Sequence, residues 1–105
     1  MFDRLARLPG HAWNWDDRAT PPSLAEGKGK IAGAVIGGLS QWRTLRDGTP
    51  EDAAAEAEDA VAQTGGTGVI VGPGCVLAMN TPDANVSAVV KALGGPLKPI
   101  PGLKA

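Results

Sequence analysis

The sequence has few of the groups that most often carry chemistry. It contains one cysteine, Cys75, one histidine, His11, and a net charge of -1 over 105 residues. A single cysteine cannot close a disulfide within the chain, which points to the cytosol. The charge is close to balanced, and Lys and Arg are scattered rather than gathered in a stripe with aromatics between them. That pattern excludes a general pull toward nucleic acid. No apolar run approaches the roughly 18 residues of a membrane-crossing helix, and the first residues lack the pattern of a secretory signal. Neither a membrane role nor export is expected. The length allows at most one domain with a modest core.

What the sequence does have is glycine and proline, fifteen and nine respectively. They fall between patterned segments as punctuation, not as a disordered tract. Phe2, Leu5, Ala6 and Leu8 have rough helical spacing, like the last turns of a longer helix, and Pro9-Gly10 ends them. Residues 11–15 read as a short strand with His11, Trp13 and Trp15 on one face, and Asp16-Asp17-Arg18 as the loop that follows. Ser23 and Glu26 suggest a capping box for a short helix. Residues 31–36 are small and β-branched, a second strand that runs into Gly37-Gly38. Residues 41–48 read as a polar connector holding Trp42. Thr49 and Pro50 then start a helix that extends to about Gln63. Asp52, Glu56, Asp59 and Gln63 line one face of it, expected to be solvated. Ala54, Ala57 and Val61 lie opposite, a thin face suited to packing on a sheet.

The stretch from Gly65 to Asn85 organises the rest. Val69-Ile70-Val71, with turn signals on both sides, fits a buried parallel strand. A Gly72-Pro73-Gly74 turn then delivers Cys75. Thr81 and Pro82 are expected to cap and start a last helix, whose buried stripe is Val86, Val89, Val90 and Leu93. The order is βα, βα, βα, which argues for a parallel sheet with right-handed crossovers. Three strands cannot close a barrel, which takes about eight.

Six segments in register carry a family resemblance: NWDDR at 14–18, PSLAEG at 22–27, GAVIGGLSQ at 33–41, GTPEDA at 48–53, GGTGVIVGPGC at 65–75 and TPDANVSAVV at 81–90. They resemble the C-terminal part of the uroporphyrinogen decarboxylase family, which includes zinc-dependent cobalamin methyltransferases. The resemblance implies an α/β fold, the last three strand–helix units of a TIM-type (β/α)8 barrel with parallel strands. It divides the chain into a partial barrel domain over 1–95 and a Pro/Gly-rich tail over 96–105. In the decarboxylase branch, acetate side chains of a porphyrinogen lose carbon dioxide without a cofactor, and a histidine stands where this chain has Cys75. In the methyltransferase branch, the same loop supplies a cysteine ligand to zinc. The companion His-x-Cys pair of that branch is not present here.

Cys75 is the leading candidate, either as a zinc ligand with partners from outside this chain or as a small buried hydrophobe. No cofactor is otherwise implied. Gly37, Gly38, Gly72 and Gly74 are candidates for cradling a substrate phosphate or carboxylate, though glycines at strand ends also serve simply as turns. His11 is either a ligand or a hydrogen-bonded strand-start residue. Asp16 and Asp17 are more suited to capping a loop and pairing with Arg18 than to acting as paired catalytic carboxylates. Trp13, Trp15 and Trp42 are expected to be buried. Two functions follow. One is a C-terminal fragment of a family enzyme, acting on a small molecule (a porphyrinogen, or a methyl donor and thiol) and inactive alone. The other is a non-catalytic module whose open sheet edge pairs with its own copy or with a complementing barrel segment.

Overall fold

A computed structural model describes residues 2–94; the tail expected over 96–105 lies outside the described residues. The elements are α1 (Phe2–Leu5), β1 (Ala12–Asn14), α2 (Leu24–Lys28), β2 (Ala34–Leu39), a π-helical segment (Gln41–Arg46), α3 (Pro50–Thr64), β3 (Val69–Pro73) and α4 (Asp83–Ala92). All three strands belong to one sheet in the order β1-β2-β3, and both pairings are parallel. Asn14 stands beside Ile36, and Ile36 beside Ile70, so these three side chains share one face. Val35 and Val69 share the opposite face, toward the helices.

The helices cover that second face. Leu24, Val35 and Ala60 form one buried cluster, and Leu39, Leu45, Ala53, Ala57 and Val89 form another, with Val71 packed against both. The buried stripe of α3 is Ala53, Ala57, Ala60 and Thr64, displaced by about one position from the Ala54–Ala57–Val61 face read from the sequence. Methyl-sized side chains let the helix lie close on the sheet. Gly38 shows how close: a Cβ there would stand 2.5 Å from the Cβ of Ala60, and its φ of 98° also favours glycine.

The helix starts follow from local chemistry. Ser23 accepts a hydrogen bond from the Glu26 amide at 3.2 Å, and its hydroxyl donates to the Glu26 carboxylate at 3.1 Å. Thr49 and Asp52 form a reciprocal capping box, each side chain accepting from the other's backbone amide at 3.1 Å.

Several expectations need correction. The buried residues of α4 are Asn85 and Val89, while Val90 and Leu93 of the expected stripe are exposed. Ile70, read as part of a fully buried strand, is 54% exposed, and the second strand lies at Ala34–Leu39 rather than 31–36. The polar connector over 41–48 is instead a wide helical turn with Gln41, Thr44 and Leu45 buried. Its departing carbonyls are satisfied from α4: the buried Asn85 amide donates to the carbonyls of Leu45 and Gly48, both at 2.9 Å. The residue capping α4 is Pro82, in extended conformation and without a side-chain bond, not Thr81. The Thr81 amide closes a turn onto the Ala78 carbonyl, which leaves Thr81 outside the helix with its hydroxyl oxygen buried and unpartnered. Finally, the acidic row of α3 is not a purely solvated face, because Glu56, Asp59 and Gln63 all bond to other elements or to Arg18. Among the described residues no helix is long and apolar enough to cross a membrane.

Candidate functional site

Parallel strands present all their carboxyl ends at one edge of the sheet, and the loops leaving them meet there. β1 leads into Asp16-Asp17-Arg18, β2 into Ser40-Gln41, and β3 into Gly74-Cys75. The floor of this region is a tight polar clasp. Asp17, whose side chain is 2% exposed, accepts from the Gly38 amide at 2.8 Å. The Arg18 guanidinium donates to the carbonyls of Gly38 at 2.8 Å and Glu56 at 3.1 Å, and pairs with Asp59 at 2.8 Å. Glu56 in turn accepts from the Ser40 amide at 3.0 Å. Asp17 and Arg18 are thus charged groups taken partly out of water, and each is met by hydrogen bonds from the opposite side of the clasp. Gln63 and then Arg18 hold the Asp59 carboxyl below its ordinary pKa by hydrogen bonding to its charged form.

Above the floor, the loop after β3 is fixed from two sides. The Gln41 side chain accepts from the Val76 amide at 3.2 Å. Gly74 lies against Asp16 so closely that a Cβ there would come within 2.6 Å of the Asp16 Cα. Between these two anchors Cys75 is exposed, so the small-buried-hydrophobe reading of this residue is set aside. Asn14 braces the same end by donating to the carbonyls of Ile36 at 2.7 Å and Pro73 at 3.3 Å.

The other expected residues fall in different places. Gly37 and Gly38 lie inside β2, and their bare positions are approached by this chain's own groups: the Asp17 carboxylate at Gly37 and Ala60 at Gly38. The Gly38 amide is already donated to Asp17. Gly72 faces the open side of the sheet, with only Ile36 near it, at 3.9 Å. His11 is exposed just before β1, at the opposite end of the strands from Cys75, so the two are not brought together. Trp15 packs into the core, donates to the Pro22 carbonyl at 2.8 Å, and meets Phe2 edge-on at 4.7 Å. Trp13 is half-buried and donates to the Leu5 carbonyl. Trp42 departs from expectation: it is 47% exposed, with the Arg46 guanidinium stacked 4.7 Å from its ring.

Sequence reasoning missed Asn14, Gln41 and Asn85. Each sits in a strand, a connector or a helix named for its neighbours, and a lone amide carries no spacing pattern to mark it.

Zinc is the one metal the sequence suggested, and the residues can be tested against it. Among the described residues no group of three His, Cys, Asp or Glu side chains is placed to hold a metal ion. Zinc sites take three or four protein ligands, so this chain does not form such a site by itself. It offers one soft donor, Cys75, at an open position.

Comparisons with known proteins agree with one another. A family model described as uroporphyrinogen decarboxylase (URO-D) matches residues 1–95. Among solved structures, a methyltransferase from Methanosarcina mazei is similar, with a TM-score of 0.74 and 27% identity over 88% of this chain. The match covers 26% of that protein, so the chain spans about a quarter of its length. No curated protein sequence matches the chain.

Proposed function

Because the chain belongs to the uroporphyrinogen decarboxylase family, we propose that it is the C-terminal strand–helix portion of a TIM-type (β/α)8 barrel enzyme. In this reading it supplies Cys75 and its loop to a site completed by residues outside the chain. The observation that carries the reading is the position of Cys75, exposed at the carboxyl end of β3. In β/α barrels that is the end where active sites are built. The chemistry follows from the residue type. A thiolate is a soft donor that zinc accepts readily, whereas the decarboxylase branch carries a histidine at this position. Thiol methyl transfer is therefore favoured over decarboxylation, in keeping with the methyltransferase match.

The chain's own contribution is positioning. Gln41 and Asp16 hold the loop, Asn14 ties β3 to β2, and the Asp17–Arg18 clasp stiffens the floor beneath. Gly72 leaves open space on the uncovered face of the sheet for a substrate group, with Gly74 shaping the turn, while Gly37 and Gly38 serve the floor. The chain alone has no turnover in this reading. The test is to assay the chain alone, then after mixing with the Methanosarcina mazei methyltransferase from which the equivalent segment has been deleted. The expected result is no methyl transfer or decarboxylation by the chain alone. Thiol methylation by the mixture should be lost with Cys75→Ala while the mixture still associates. Turnover by the chain alone, or activity unchanged by Cys75→Ala, contradicts the proposal.

The second reading, a non-catalytic pairing module, is favoured by a different observation, the exposure of Leu77, Val90 and Leu93 beside the unpaired edge of β3 and of Ile70 on the sheet's open face. A chain that associates with a complementing segment but never restores activity would support it.

A further inference from the structure

The chain continues past the last described residue, and the end of α4 indicates its course. The helix closes at Ala92, and Gly94 turns away from it with a φ of 112°, a conformation that favours glycine. Leu93 and Gly94 also form the wall of a groove of about 550 Å³, whose other residues are Glu58, Val61, Ala62 and Ala92. A second groove of about 300 Å³ continues the same seam past Ala54 and Ala88, and shares Glu58 and Ala92 with the first. This seam lies between α3 and α4, two neighbouring helices of the chain, so it is not an edge at which another strand would join. Leu93 is 43% exposed along it.

The segment that leaves the groove, residues 95–105, reads GPLKPIPGLKA. Pro96, Pro99 and Pro101 each fix their own φ near −65° and so favour polyproline II, which has three residues per turn. At that period Leu97, Ile100 and Leu103 fall on one face, and Lys98 and Lys104 fall together on the next. The segment carries two cations and no acidic residue. The seam is rimmed by Glu51 and Glu58, with Lys91 opposite. Among the described residues neither carboxylate is in an ion pair. Reach is sufficient as well. Residues 96–104 in polyproline II extend roughly 28 Å at about 3.1 Å per residue, while the 15 residues of α3 span about 22 Å.

We propose that the seam between α3 and α4 is the docking groove for the chain's own segment 96–104, which turns back after Gly94 and lies along it as a polyproline II strap. Leu97, Ile100 and Leu103 enter the groove against Val61, Ala62, Ala92 and Leu93, and Lys98 and Lys104 reach the rim carboxylates of Glu58 and Glu51. The apolar face supplies the attraction. Exposed ion pairs add little stability, so the lysines set the direction of the strap instead. The strap lies on the helices and leaves Cys75, at the carboxyl end of β3, uncovered. It therefore stands whether or not the barrel reading does. The competing occupant is the same segment of a second copy, exchanged between chains.

The test is methyl NMR on the full chain. The expected result is a set of nuclear Overhauser contacts from the Leu97, Ile100 and Leu103 methyls to those of Val61, Ala62, Ala92 and Leu93. A sample mixed from two differently labelled chains, filtered for contacts between them, should show none of these. Ile100→Asp puts a charge on the apolar face of the strap, and Ala62→Arg fills the groove with a long charged side chain. Each should abolish the contacts. Ala62 is exposed, so its variant should fold, and far-UV circular dichroism checks that it does. Leu8→Asp, on an exposed residue outside the seam, should leave the contacts in place. The proposal is overturned if the natural chain shows no such contacts, or if they survive both Ile100→Asp and Ala62→Arg. It is also overturned if they appear only between differently labelled chains.

Discussion

At the scale of single residues, the carboxyl end of the sheet is held by side chains whose partners lie far away in sequence. Arg18 is the clearest case, reaching the Gly38 and Glu56 carbonyls and the Asp59 carboxylate. Asp59 has its carboxyl pKa lowered by Gln63 and Arg18. A lowered folded-state pKa means its stabilising contribution is complete above the unfolded value of about 3.9 and is lost as the pH falls through the lower folded value. Half of this side chain is in water, so the effect is small. In urea titrations across that acid range, Asp59→Asn should show a shallower loss of stability than the natural chain. Parallel curves would show that Asp59 adds nothing to the clasp. The sequence displayed Asp52, Glu56, Asp59 and Gln63 as a polar stripe. It could not show that Arg18 folds onto that stripe, because charge spacing along a helix reports only the helix's own neighbours.

Among the elements, legibility followed the range of the forces involved. The three strands, the Thr49 cap and the parallel order could be read because each is set by residues near one another: β-branched runs, a Thr-Pro start, alternating periods. The π-helical segment and the start of α4 could not, because their geometry is set by contact. Gln41–Arg46 is a wide turn whose carbonyls are met by Asn85 from α4, and nothing within the segment foretells that donor. Removing it should therefore loosen two elements together. Asn85→Ala leaves buried carbonyls without a donor and should lower stability by about 1–3 kcal/mol. Hydrogen exchange should rise in both the 41–48 segment and α4. Faster exchange in α4 alone would mean that the amide is not what joins them.

For the whole molecule, the family was legible because six motifs stand in register, and the family model bears that out over residues 1–95. The α/β architecture with parallel strands is also as expected. The functional site was only partly legible. Cys75 could be singled out as the lone thiol in a strand-end loop, but its exposure and its two anchors, Asp16 and Gln41, are products of packing. Expecting Gly37 and Gly38 to be open positions failed to anticipate Asp17 and Ala60, which the fold brings against them. Both edges of the described sheet carry open apolar groups, Leu5 and Leu8 near β1 and Leu77, Val90 and Leu93 near β3. In the proposed reading the chain brings one donor, Cys75, to a zinc site that needs three or four.

The most direct measurement is the alkylation rate of Cys75 by iodoacetamide, read by mass spectrometry on this chain with and without zinc. As its only cysteine, Cys75 reports without ambiguity. In the free chain the rate should be insensitive to zinc. In the complex with the segment-deleted methyltransferase, zinc should slow alkylation and a chelator should restore it. Equal rates with and without zinc in that complex would contradict a shared metal site, and protection in the free chain would contradict the need for a partner.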